Sequence, residues 1–243
     1  MPNWCNNTIR ILGSKPDLIS LRKFVKGKKG EGADKESITF DFRKIIPYPK
    51  KYVDQDRDAA RFKELKDKKE CYDGYQCYNG YQSNKSGVDK SFFRDKPKKL
   101  TKKEEKELLV LSLADDPEKD GYNQGGYDWC IANWSTKWNS CEDGSTPKVI
   151  RVPEDKKATG FEMNYYFDTA WSPPTRVILK LSENYPKLVI ITKWREEGGQ
   201  AGEFICINGK LTSEIGWSFI YKKDKKTGEF SEVEVKGSRK VYV

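Results

Sequence analysis

Three short tryptophan-bearing segments stand apart along the chain: Met1-Pro2-Asn3-Trp4-Cys5-Asn6-Asn7, Trp134-Ser135-Thr136-Lys137-Trp138 and Phe167-Asp168-Thr169-Ala170-Trp171-Ser172-Pro173-Pro174. Tryptophan carries a large apolar body and one N–H that needs a partner when buried. The three segments therefore imply one tertiary arrangement in which they meet, not three local motifs. We expect Trp4, Trp134 and Trp171 to be substantially buried. With Trp171 as a core plug, truncation to Ala would cost about 3–5 kcal/mol.

The rest of the chain has to supply a core for this arrangement. Only 36% of its 243 residues are hydrophobic and 34% are charged, yet 7 Trp, 13 Tyr and 11 Phe can build an ordered interior from a few large side chains. Lys and Arg number 46 against 37 Asp and Glu, a net charge of +9. That balance suits nucleic acid or an acidic protein surface, and equally a solvated Lys-rich exterior. Histidine is absent, which removes the commonest general base, metal ligand and pH switch together. No two of the six cysteines have CxxC spacing. With no signal-like start and no run approaching the ~18 apolar residues of a membrane span, we expect a cytoplasmic protein with all six thiols reduced and no membrane partner.

Hydrophobic periodicity predicts a strand over Asn7–Leu12 and a helix capped by Ser14 and ending at Gly27. A second strand is expected over Ser37–Ile46, where Ile38, Phe40 and Phe42 alternate. Residues 50–100 read as a basic insertion, mostly loop, with a short helix near Ala59–Lys69. Thr101 and Glu104 form a capping-box pattern that opens a helix running on through Leu108, Leu109, Leu111 and Leu113. A helix over Tyr127–Trp134 and a turn over Ser135–Asn139 follow. Next come a strand over Thr159–Phe167, a helix capped by Ser172, and strands over Leu188–Trp194 and Phe204–Leu211. A hairpin at about 215–243 ends the chain. This order predicts an α+β fold, with helices on one face of an antiparallel sheet, as a single domain over 1–243.

The opening Pro-Asn-Trp-Cys-Asn-Asn, the Trp134–Trp138 turn, the Phe167–Pro174 segment, and Glu196-Glu197-Gly198 followed by Gly202-Glu203-Phe204 resemble the YubB-like family. The resemblance covers residues 1 to about 48 and about 125 to 211, and Ser135 stands where many relatives carry Gly. It implies a ferredoxin-like domain, an origin on a bacterial plasmid or phage, and a cytoplasmic setting in the bacterial host. The family has no established catalytic residues, so none are carried over.

Candidate chemistry divides among several places, each with a structural alternative. Asp168, Thr169, Trp171 and Ser172 sit at a strand-to-helix junction that could hold an anion, although Pro173 and Pro174 remove donors there. Trp134, Thr136, Lys137 and Trp138 could form an aromatic platform with a cation, or pack inward. Cys5 lacks the base or positive surroundings a reactive thiolate needs. Glu196, Glu197 and Glu203, or Asp115 and Asp116, could hold a hard cation or be solvated. Tyr72, Tyr75, Tyr78 and Tyr81, with Lys66, Lys68, Lys69 and Lys85, interleave aromatics and cations in a way that suits single-stranded nucleic acid or a protein partner. Between Lys50 and Lys106, 17 basic and 11 acidic residues give +6. The expectation is a binding protein that acts on a host or defence component, with its partner site in the insertion and no metal or cofactor. The alternatives are a nucleic-acid-binding accessory protein and a carboxylate–metal enzyme.

Overall fold

The first strand, β1 (Trp4–Gly13), begins three residues earlier than its β-forming residues suggest and takes the first tryptophan into the sheet. The computed structural model describes residues 3–27, 38–82, 98–141, 147–152, 160–223 and 229–242, without the side chains of 74–82, 221 and 230. It divides the chain into two compact units, one of Met1–Tyr48 with Tyr127–Val243 and one of Pro49–Gly126.

In the first unit, β1 leads into α1 (Lys15–Val25), where the Ser14 hydroxyl accepts from the Asp17 amide as the sequence predicts. Leu18, Leu21 and Val25 are buried, whereas Phe24 stays at the rim against Tyr185. The strand expected over Ser37–Ile46 does not form in the described part. Asp41 caps a single helical turn, α2 (Phe42–Ile45), and its carboxylate also holds the Arg43 guanidinium. The backbone pairs with the end of α1 instead of with a sheet, through Gly27 N–H to Ile38 O and Asp41 N–H to Val25 O. Phe40 and Phe42 alternate in sequence, yet both are fully buried. They pack on Tyr165, Phe167 and Trp134 at ring separations of 4.8–5.9 Å.

After α5 (Tyr127–Trp134) come the strands β2 (Val149–Arg151) and β3 (Phe161–Ala170), then α6 (Thr175–Asn184). The strands β4 (Val189–Glu196), β5 (Gln200–Ile207), β6 (Lys210–Lys223), β7 (Phe230–Lys236) and β8 (Lys240–Val241) complete the sheet. The predicted strand over Phe204–Leu211 is two strands. Asn208 at φ +49° and Gly209 at φ +73° turn the chain there, the dihedrals of a tight hairpin.

The sheet order is β2-β3-β1-β4-β5-β6-β7, with β8 also on β6, and every pairing is antiparallel. Because β3 and β4 both run against β1, they are parallel to each other, and β3-α6-β4 is a β-α-β unit split by β1. One face of the sheet carries Ile9, Ile11, Met163, Tyr165, Phe167, Ile190, Phe204 and Cys206, and packs against Leu18, Leu21, Val25, Val177, Ile178 and Leu181 of α1 and α6. The fold is α+β and ferredoxin-like, as predicted.

The second unit is helical. Where the sequence suggests mostly loop, α3 runs from Lys50 to Gln82. The Thr101–Glu104 capping box forms at the start of α4 (Lys102–Leu111), but Leu109 and Leu113 beyond it are exposed. The two helices are joined by the bidentate pair Arg61–Glu107 and by Lys68–Glu104. Gly121 lies so close to the Tyr52 backbone that a Cβ would stand 2.1 Å from its carbonyl oxygen. Among the described residues, no helix is long and apolar enough to cross a membrane.

Candidate functional site

The three tryptophan segments meet at one end of the first unit's sheet, where β1 starts and β3 and β4 end. Register places Trp4 opposite Ala170 and Asn6 opposite both Asp168 and Arg195. The Trp171 amide donates to Asn3 O, and the Glu197 amide donates to Trp4 O. Asp168 and Cys141 exchange both backbone bonds. The Thr136 hydroxyl stands in for a strand neighbour at Ala170, donating to its carbonyl at 3.0 Å and accepting from its amide at 3.2 Å. Beneath them, the buried Asn7 amide donates to Cys5 O and Thr169 Oγ1, and Thr169 Oγ1 donates to Ser172 O.

This network changes the roles expected of several residues. Ser172 does not cap α6, because its hydroxyl donates to Ser135 O at 2.6 Å. The hydroxyl at the start of α6 belongs to Ser135, which accepts from the Arg176 amide. Ser135 sits at φ +65°, a left-handed conformation that explains why a glycine would also fit this turn. Nothing in the local sequence signals the arrangement, because the cap comes from a residue 41 positions away.

The tryptophans separate into distinct environments. Trp134 is 3% exposed, donates its indole N–H to Ile46 O, and packs among Phe42, Tyr48 and Trp129. It belongs to the core and not to a binding platform. Trp4 and Trp138 are half-buried and meet edge to face at 6.1 Å. Trp171 is 51% exposed, which overturns its expected role as a core plug. Its φ of +69° is an outlier for a bulky residue. The Lys137 ammonium lies 3.0 Å from the centre of its ring and 5.6 Å from that of Tyr127. Of the platform predicted at 134–138, Lys137 and Trp138 are half-buried, Lys137 against Trp171 of the third segment and Trp138 against Trp4 of the first.

The other candidates have protein partners. Cys5 is fully buried, and burial pushes its thiol up to about 12, which takes it out of nucleophilic chemistry at neutral pH. Glu196 accepts from the Gly198 amide in its own turn, Glu197 accepts from the Trp4 amide, and Glu203 pairs with Lys193 and Arg239. Among the described residues, no three cysteine or carboxylate side chains converge where they could hold a metal. Cys71 and Cys141 are exposed thiols; Cys5, Cys130 and Cys206 are buried thiols.

In the second unit Lys68 is engaged by Glu104, Lys66 pairs with Glu118, Lys69 is exposed and Tyr72 is half-buried. Tyr75, Tyr78 and Tyr81 lie on the α3 backbone, but their side chains fall outside the described residues, as does Lys85 altogether. Taken over its full extent from Pro49 to Gly126, this unit holds 18 basic and 16 acidic residues, a net of +2. The remaining 28 basic and 21 acidic residues put +7 of the chain's +9 on the first unit.

Comparison with known proteins bears on the first unit. No curated protein matches the chain. The crystal structure of the protein Api92 from Yersinia pseudotuberculosis is similar at 11% identity and a TM-score of 0.41, over 87% of this chain and 96% of that one. Residues 151–235, from the end of β2 through most of β7, match the family described as the ferredoxin-like domain in Api92-like protein.

Proposed function

We propose that the chain is a non-enzymatic binding protein of phage or plasmid origin that engages a protein of the bacterial host or of its defences through the junction of the three tryptophan segments. The mobile-element origin rests on the likeness of those segments to the YubB-like family. The observation that carries the binding role is Trp171. A bulky residue in a left-handed conformation is costly, and such outliers persist where the surrounding structure holds them, often at sites of function. Its indole is half in solvent and bears a lysine ammonium, and the half-buried Trp4–Trp138 pair belongs to the same three-segment junction. Exposed aromatic rings with a cation are what protein interfaces use as anchors. Beneath this surface the polar side chains of Thr136, Thr169, Ser135 and Ser172 are committed to backbone partners, so the junction is rigid.

Affinity capture from bacterial lysate tests the reading. The wild type should retain a host protein that Trp171→Ala and Lys137→Glu both lose and Trp171→Phe keeps. Capture unchanged in Trp171→Ala would overturn it. If a variant lacking 71–87 loses the partner while Trp171→Ala keeps it, the site lies in the second unit.

A further inference from the structure

The sheet face turned away from α1 and α6 is a second surface with a chemistry of its own. Strand alternation places Trp4, Asn6, Thr8 and Arg10 of β1 there, opposite the face of Cys5, Asn7, Ile9 and Ile11. Cross-strand register builds two rows. One runs Tyr166–Thr8–Lys193–Glu203, and the next Asp168–Asn6–Arg195. Tyr166, on β3 beside β1, is 55% exposed.

The charges on this face are layered. Each cation pairs with a carboxylate that lies deeper than itself. Arg10 is 40% exposed over Glu162 at 16%, Lys193 63% over Glu203 at 16%, Arg195 51% over Glu232 at 29%, and Arg239 43% over the same Glu203. The carboxylates orient the cations and the cations form the outer surface. The cations are the exposed members of these pairs and keep open donors towards solvent, so a phosphate can bind them from outside while the carboxylates stay in place beneath. The +7 of this unit has the same sign.

We propose that this face binds single-stranded nucleic acid, with a base stacked on Tyr166 and the backbone tracking along Lys193, Arg195 and Arg10. An exposed ring amid outward cations fits the two parts of such a strand, the π-face of a base and the phosphate. A sheet that presents an exposed aromatic ring is a known way to stack unpaired bases. Neighbouring strands stand about 4.8 Å apart, so the row from Tyr166 to Lys193 spans roughly 10 Å, room for a nucleotide or two. Base pairs hide the base faces that Tyr166 would need, so the face selects single strands over duplex. The face runs up to the tryptophan junction and shares Trp4, Asn6 and Asp168 with it, but Tyr166, Lys193 and Arg10 lie farther along the strands, and the inference does not rest on the protein-binding reading.

Fluorescence anisotropy with labelled oligo-dT and oligo-rU of about a dozen nucleotides, and a duplex of the same length, tests it on the full chain. The single strands should bind, and log K should fall with log salt with a slope of about −0.7 for each phosphate contact. Tyr166→Ala should weaken binding roughly five- to a hundredfold, with Tyr166→Phe restoring it. Lys193→Ala should flatten the salt slope by about 0.7. Both positions are exposed, and an unchanged circular dichroism spectrum shows that the variants fold. Failure of the wild type to bind at low salt overturns the proposal, including the case where the face takes an acidic protein. Binding that Tyr166→Ala and Lys193→Ala leave intact, or a duplex bound as tightly as the single strand, also overturns it. Trp171→Ala should keep oligonucleotide binding while losing the host protein, so either idea can fail without the other.

Discussion

The two units of this chain are held together by different forces. In the ferredoxin-like unit, buried aromatic and aliphatic side chains close one face of a sheet, and Phe40, Phe42, Trp134, Tyr165 and Phe167 touch one another in a continuous ring cluster. In the Pro49–Gly126 unit, Phe62 and Leu65 are buried on α3, but three ion pairs also tie α3 to its neighbours: Arg61–Glu107 and Lys68–Glu104 reach α4, and Lys66–Glu118 reaches the turn beyond it. Apolar burial is not screened by a simple salt such as sodium chloride and, without titratable groups, is indifferent to pH. Exposed ion pairs are sensitive to both. The comparison also explains why the +6 of residues 50–106 falls to +2 over the whole unit. Several of its cations are tied to acids brought close by folding, many of them C-terminal to Lys106 or on α4.

The largest effect should come from the ring cluster. Trp134→Ala removes a 3%-exposed indole, strands Ile46 O without its N–H partner and leaves Phe42, Tyr48 and Trp129 around a cavity. The expected loss is about 3–5 kcal/mol, read by chemical denaturation. The loss should be the same at low and high salt. A loss below about 1 kcal/mol, or one that grows as salt is lowered, would break the contrast between the units.

An intermediate effect should appear in acid and should reach the second unit's helices before the core strands of the first. The Lys68 ammonium, together with the Thr101 amide and hydroxyl, holds the Glu104 carboxyl down at about 2, and Arg61 and Lys66 lower Glu107 and Glu118. A carboxyl whose folded value lies below its unfolded value near 4.5 adds stability at pH above 4.5. That stability is lost as pH falls towards about 2. Hydrogen exchange across this window should show amides of α3 and α4 losing protection before those of β1 and β3. The ferredoxin-like unit has a lowered carboxyl too, Glu214 beside Tyr242 and Lys240, but it lies at the β6–β8 edge and not in the core. Simultaneous loss of protection in both units would show that the ion pairs do not hold the second one separately.

What the sequence makes legible follows from how local the signal is. Ser14 with Asp17, and Thr101 with Glu104, are caps built within four residues, and both form as read. The alternation of Ile38, Phe40 and Phe42 is as clear on paper, but Asp41 between them caps a helical turn, so two buried rings arise without a strand. Acidic and basic residues at helical spacing along α3 are compatible with a long helix, yet the poor aliphatic content of 50–82 hides it. The convergence of the three tryptophan segments is legible as a necessity. The division of labour among them is not, because the exposure of Trp171 depends on the turn at Ser135 and on Thr136 taking a strand's place beside Ala170.

The smallest effect on stability should come from the residue that the sequence marks as a core plug. Trp171 lies in the unit held by apolar burial, but it is half exposed to water, and the Lys137 ammonium covers part of its ring. A cation over an exposed ring contributes about 0.5–1 kcal/mol, so Trp171→Ala should lower stability by no more than about 1 kcal/mol. Alanine inherits the left-handed backbone at φ +69°, which its Cβ disfavours by about 1–2 kcal/mol, and glycine does not. Trp171→Gly should therefore be at least as stable as Trp171→Ala, although glycine is ordinarily the worse residue for an ordered chain. The pair is measured by denaturant melts of the two variants beside the wild type. A loss of 3–5 kcal/mol in Trp171→Ala would restore the core-plug role and remove the stability grounds for regarding this tryptophan as a binding residue. A near-zero loss, with Gly at or above Ala, leaves a strained aromatic side chain whose retention folding does not require.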